Sequence, residues 1–104
     1  MFGWLRKAAS DLYGAARSGR WKAWRDAHVR REPFCQACGV AKDLEVHHIL
    51  PVHAGGPELP PPSGLITLCR PCHHVVGHAC DWEAWRPDVR RLADTLRSAE
   101  VRRK

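Results

Sequence analysis

Two Cys-x-x-Cys pairs, Cys35/Cys38 and Cys69/Cys72, frame the run Glu45-Val46-His47-His48-Ile49, and the second pair continues into His73-His74 and then His78. Four thiolates at this spacing suit one tetrahedral zinc ion, and a shell closed by four sulfurs leaves no position for a substrate water. Gly39, next to Cys38, permits the tight turn that brings two sulfurs to one ion. Each Cys-x-x-Cys pair therefore reads as a metal knuckle. Disulfides, redox chemistry and iron–sulfur binding are the competing uses of such cysteines, and Cys80 is left over as a free thiol. The histidines have other work open to them. Imidazole binds divalent metals, and its pKa near 6.5 lets it move a proton at neutral pH.

The elements that would carry these residues follow from periodicity. Leu44–Ile49 and Leu65–Leu68 read as two short strands. Neighbouring strand residues face opposite ways, so His47 and His48 are expected to serve different sides. Residues 51–64, PVHAGGPELPPPSG, read as a loop, because proline and glycine break both regular structures. A short helix is expected to begin near Pro71-Cys72-His73, and Trp82-x-x-Trp85 to follow as an apolar anchor.

Helices flank this core. Phe2, Leu5, Ala9, Leu12 and Ala16 share a helical face over residues 2–17, and Ser18-Gly19 ends it. Residues 20–31 form a second helix with Trp21, Trp24 and His28 on one face, the tryptophans serving as core anchors, and Pro33 stops it. The last helix spans 87–100, with Val89, Leu92, Ala93, Leu96 and Ala99 as its buried stripe. The division is an N-terminal helical arm over 1–19 and one domain over 20–104.

At 104 residues the chain buries a modest core, and a metal helps such a chain hold its fold. No 18-residue apolar run is present, so no membrane partner is expected. The first residues lack a signal-peptide layout, which makes a cytoplasmic location the expectation and metal the expected use of the cysteines. The net charge is +6, and one zinc on four thiolates lowers it only to +4. Residues 1–31 hold eight of the 17 Lys and Arg against Asp11 and Asp26. A basic surface favours a polyanion, and Arg20, Lys22, Arg25, Arg30 and Arg31 are the candidates for gripping phosphates.

The stretch Cys35-Gln36-Ala37-Cys38-Gly39, Leu44-Glu45-Val46-His47-His48-Ile49-Leu50-Pro51, Gly55-Gly56 and Leu65-Ile66-Thr67-Leu68-Cys69-Arg70-Pro71-Cys72-His73 resembles the HNH endonuclease superfamily. The order and spacing of these pieces are specific, although each is weak alone, and they cover about forty residues. The resemblance implies a small α+β fold, a ββα-metal core with two zinc knuckles and flanking helices. It also implies His48 as the general base, with His47 and His73 as ligands of a catalytic divalent ion.

His78 is implied as the third ligand, with His74 as its competitor. Ideal α-helical spacing pairs His74 with His78, while the pattern of a phage- and bacteria-type subgroup pairs His73 with His78. In one place the chain departs from the family. The asparagine expected just before the second strand is replaced by Gly64, so Ser63 or a loop carbonyl would have to orient the base.

The implied activity is metal-dependent hydrolysis of DNA phosphodiesters, the DNA being double-stranded, with nicking as the product of one site and little intrinsic sequence specificity. A homodimer or two successive cuts would be needed for a double-strand break. The cofactors implied are one structural Zn²⁺ and one catalytic ion among Mn²⁺, Mg²⁺, Ni²⁺, Co²⁺ and Zn²⁺, of which histidine ligands suit Mg²⁺ least. The alternatives are a non-catalytic zinc module that binds nucleic acid or protein, and cleavage of RNA.

Overall fold

The computed structural model describes residues 19–103. The helix expected over 2–17, and with it nearly all of the arm assigned to 1–19, lies outside the described residues. The described chain opens with helix α1, residues 19–31, which Pro33 prevents from continuing. Strands β1 (Leu44–His48) and β2 (Leu65–Cys69) form one antiparallel pair, with Leu44 opposite Cys69 and His48 opposite Leu65. The Pro/Gly-rich connection between them contains two short 3-10 turns, Val52–Ala54 and Pro62–Gly64.

Cys69 leads directly into helix α2, Arg70–Cys72, which widens into a π turn over His73–Gly77. Pro71 suits the first turn of α2, where a backbone N–H has no intrahelical partner to lose. The last helix, α3, spans Val89–Arg103. The architecture is thus a small α+β fold: a β-hairpin with a helix running out of it and helices on its flanks.

All five residues of β2 are buried, including Leu65, Ile66 and Leu68 at 1% exposure or less. Of these, Ile66, Leu68 and Cys69 join Cys35, Ala37, Val76, Val89 and Ala93 in a small core, with Leu44, Ile49, Cys72 and Leu92 packed at its edge. Only the first part of the stripe expected on α3 is inside. Val89 and Ala93 are buried, whereas Leu96 is 42% exposed and Ala99 is exposed. The core ends before α3 does.

Among the described residues, the tryptophans are not core residues either. Trp24 is 39% exposed and spends its indole N–H on the Pro60 carbonyl at 2.7 Å, while Trp82 and Trp85 are also exposed. Besides the apolar contact of Val89 and Ala93, a polar tie fastens α1 and α3 to the hairpin. Glu32 accepts hydrogen bonds from Arg90 (2.8 Å), from the backbone N–H of Thr67 (3.2 Å) and from buried His28 (2.7 Å). Arg90 also donates to the Leu65 carbonyl at 2.8 Å. Burial pushes the Glu32 carboxyl up, but its bonds to Arg90, His28 and Thr67 outweigh that and hold it below the usual carboxylate range.

Candidate metal centre and active site

Cys35 and Cys38 sit on a turn that closes when the Gly39 N–H donates to the Cys35 carbonyl (2.8 Å) and the Cys35 N–H to the Val40 carbonyl (2.7 Å). Gly39 has φ +87°, a conformation that glycine takes without penalty. The Gln36 N–H ties this turn to β2 through the Thr67 carbonyl (3.0 Å). The second pair is built differently. Cys69 is the last residue of β2 and Cys72 ends the first turn of α2, so helix geometry, not a glycine turn, sets their separation. The two knuckles expected from the sequence are therefore one four-cysteine cluster, accompanied by a separate three-histidine cluster.

The four Sγ atoms lie within 4.8 Å of one another, with Cys38 and Cys69 at 3.7 Å, and none is in a disulfide. Burial raises the Cys35 thiol, but the backbone N–H groups of Cys69, Cys38 and Ala37 and the Cys38 thiol outweigh it and hold it down at about 7. Burial pushes Cys72 the other way, reinforced by the neighbouring sulfurs of Cys69 and Cys35. Packed sulfurs cannot all ionise unless a cation sits among them. Four sulfur donors at this spacing fit zinc.

The second cluster joins His47 of β1 to His73 and His78 at the two ends of the π turn, with ligand nitrogens also within 4.8 Å of one another. An α-helix would align His74 with His78. The π turn instead hydrogen-bonds the His78 N–H to the His73 carbonyl at 3.1 Å, so residues five apart stack on one face. His74 lies outside the cluster, its ring 4.7 Å from that of Trp82. The backbone thus supplies the reason for the His73–His78 pairing. Gly77 gives the rings room, since a Cβ there would lie 3.3 Å from the His47 ring and from His73.

The donor set tests well for a metal. His73 Nδ1 donates to the Glu45 carboxylate (3.0 Å), and His78 Nδ1 to the Ala84 carbonyl (2.8 Å). With both Nδ1 protons committed, the two Nε2 atoms face each other at 3.1 Å with lone pairs inward. Two opposed lone pairs repel unless a cation lies near them. His47 Nε2 is buried with no hydrogen-bond partner among the described residues. Burial first, then the charges of His73, His78 and His48, holds the His47 imidazole down at about 3, so at neutral pH it is an uncharged ligand. Burial also lowers His78, aided by His73, His53 and His74 and opposed by its bond to Ala84.

His48 points to the other side of β1. Its ring stacks on that of Trp21 with centroids 4.5 Å apart and planes 28° apart. Its Nε2 lies 2.9 Å from the Glu58 carbonyl. A carbonyl only accepts, so the proton sits on Nε2 and Nδ1 carries the basic lone pair. The bond between Trp24 and Pro60 fastens the same loop two residues beyond Glu58. Gly64 contributes its carbonyl to the Ile49 N–H (2.9 Å), and a Cβ on it would stand 2.8 Å from that of Pro60. Ser63 is exposed.

The basic residues divide into two groups. Arg20, Arg30 and Arg31 are exposed on α1. Lys22 pairs with Asp26 at 2.8 Å, while Arg25 bonds Asp26 (3.1 Å) and the Leu44 carbonyl (3.1 Å), which makes it a tie between α1 and β1.

Sequence reasoning missed Glu45, the Glu58 and Ala84 carbonyls, and the stacking of Trp21 on His48. Glu45 carried a signal: it precedes His47 by two residues in a strand, and so shares its face. The carbonyls carried none. Among the described residues no helix is long and apolar enough to cross a membrane. Residues 35–78 match the family model described as HNH endonuclease, while no curated protein and no solved structure matches the chain. The matched segment begins at the first cysteine and ends at the third histidine, so both clusters fall inside it: residues 35–78 form a domain of the HNH endonuclease family with a four-cysteine cluster and a histidine triad.

Proposed function

We propose that the chain is a metal-dependent DNA endonuclease in which His48 is the general base. The observation that supports this best is the division of labour across β1. His47 turns towards His73 and His78, while His48, one residue on, is held by Glu58 and Trp21 with its basic nitrogen at Nδ1. His48 Nδ1 would take a proton from water as that water attacks phosphorus in line with the leaving 3′ oxygen. His47, His73 and His78 would hold a divalent ion, which supplies charge stabilisation to the phosphate and the leaving group. One such ion suffices when a histidine supplies the base. Cys35, Cys38, Cys69 and Cys72 would hold the structural zinc.

The orienting role that the family's asparagine would fill passes here to the Glu58 carbonyl, in the loop that precedes Gly64. Glycine at 64 is therefore compatible with catalysis, which weighs against the non-catalytic binding module. Arg20, Arg30 and Arg31 would contact backbone phosphates, with Lys22 and Arg25 more committed to the fold; such contacts give affinity without sequence preference. One site cuts one strand, so nicking is the expected product.

Supercoiled plasmid incubated with the zinc-loaded protein and Mn²⁺ should be converted to open circles. His48→Ala should abolish nicking while keeping zinc and fold. Equal nicking by wild type and His48→Ala would remove His48 as the base. Plasmid that is bound but never cut, with any of the five candidate ions, would replace the enzyme by the binding module.

A further inference from the structure

We infer that Glu45 is a positioning residue for His73, and that it sets the metal affinity of the three-histidine cluster. The inference rests on reading that cluster as a metal site, but not on the reading that the protein cuts DNA.

Strand alternation puts Glu45 on the His47 face of β1, directly over the start of the π turn. Its carboxylate is shared. Oε1 accepts from His73 Nδ1 at 3.0 Å, and Oε2 accepts from the Arg70 guanidinium at 3.3 Å. The bond to His73 does two things. It places the imidazole proton on Nδ1, which leaves the lone pair on Nε2, and it stops the ring from turning that lone pair away from His78. A carboxylate acceptor also raises the basicity of the ligating nitrogen, and losing such a partner typically costs about 10–100-fold in metal affinity.

The three rings differ in this respect. His78 donates to a neutral backbone carbonyl, and His47 is held by burial against Gly77. His73 is the member of the cluster that leans on a carboxylate, and it is also the most exposed, with 17% of its side chain accessible. Packing constrains it least, so it gains most from a directional bond.

A purely structural role for Glu45 predicts something else. Its ion pair with Arg70 is a surface pair, Arg70 being 73% exposed, and such pairs contribute little to stability. Removing Glu45 should therefore leave the fold nearly untouched and weaken the metal.

The test is titration of the full, zinc-loaded chain with Ni²⁺ by calorimetry, alongside zinc content and thermal midpoint. Wild type should take up one Ni²⁺ that His73→Ala does not. Glu45→Ala should bind it about 10–100-fold more weakly at unchanged zinc content. Glu45→Gln, which keeps an acceptor oxygen, should recover most of that loss, and Arg70→Ala should bind at least as tightly as wild type. Nicking by Glu45→Ala should return at saturating metal.

Glu45→Ala binding Ni²⁺ like wild type overturns the inference, as does Arg70→Ala falling with it. If Glu45→Ala does not fold, Glu45→Gln and Arg70→Ala decide: a Gln variant with no better binding than His73→Ala sinks it. Should the wild type bind Ni²⁺ in this pattern yet cut no DNA, the nuclease reading fails and the role of Glu45 stands. A wild type with no Ni²⁺ at the histidines overturns both.

Discussion

The four-cysteine and three-histidine clusters share an origin, the junction of β2 with α2, and differ in how they are held. The sulfurs are placed by backbone alone: a glycine turn on one side and a strand-to-helix junction on the other. Two of the histidines are placed by hydrogen bonds that their far nitrogens donate to the Glu45 carboxylate and the Ala84 carbonyl. Four sulfurs close a tetrahedral shell, whereas three imidazoles leave coordination positions open. With zinc bound, the first arrangement would store folding energy; under the proposed function, the second would keep an ion available to a substrate. Removing metal from the two should therefore have opposite signatures.

The largest effect is expected at the sulfurs. Cys69 and Cys35 are both buried in the core, so the ligands are also packing residues. Apparent binding energies of structural zinc, about 10–16 kcal/mol in zinc-finger peptides, are as large as the whole stability of a chain this size. Cys69→Ser, or a strong chelator, should abolish the cooperative thermal transition. A chelated protein that keeps its transition would break the distinction from the sulfur side.

His48→Ala should act on rate alone. Losing a general base costs about 10²–10⁴-fold, and His48 belongs to neither cluster. Trp21→Ala should lower the rate as well, by less, because the Glu58 carbonyl still fixes the tautomer. Nicking rates measured at equal zinc content and equal thermal midpoint check both. A large fall in midpoint for His48→Ala would mean that the ring packs the fold instead.

Acid should separate the two clusters in the protein with zinc bound at the sulfurs and no ion at the histidines. His47 is lowered in the fold to about 3 from an ordinary value of 6.5. Its folded form thus binds fewer protons than the unfolded chain between those values. Stability is unaffected above pH 6.5 and falls as pH drops below it, by up to about 1.4 kcal/mol per pH unit. Glu32, lowered from 4.5, adds its loss only below that pH. His47→Gln should flatten the decline between pH 6.5 and 5 seen in melting midpoints, and an unchanged slope would show that another group carries it.

How much of this was legible in the sequence follows the same division. The cysteines, both strands and the opposite facing of His47 and His48 were readable because they depend on spacing and on period-two alternation, which are local. The choice between His73 and His74 was not fixed by the residues, since only a π turn makes a five-residue step equivalent to one turn. The tryptophans were misread as anchors because a large apolar ring looks the same in a core and over a histidine. Trp21 lies against His48, and Trp82 lies 5.0–5.2 Å from His73 and His78 while half exposed. The tie from Glu32 to Arg90 spans 58 residues, and no local pattern announces it.

The smallest expected effects lie at Gly64 and on the basic face, and Gly64 bears most on whether the active half is complete. If catalysis lacked its asparagine, Gly64→Asn should raise the rate. The fold predicts the reverse. A Cβ at 64 would meet Pro60 at 2.8 Å, and Pro60 is buried and held by Trp24, so neither side yields cheaply. The cost should be about 1–3 kcal/mol, the range for overpacking a tight site. Because Pro60 and Glu58 share one loop, the displacement should also loosen the Glu58 carbonyl from His48 and lower the rate. Gly64→Ala carries the same Cβ without the amide, so the two variants should fall together in midpoint and in nicking. A gain for asparagine over alanine would instead show that the amide supplies an orientation the loop carbonyl does not.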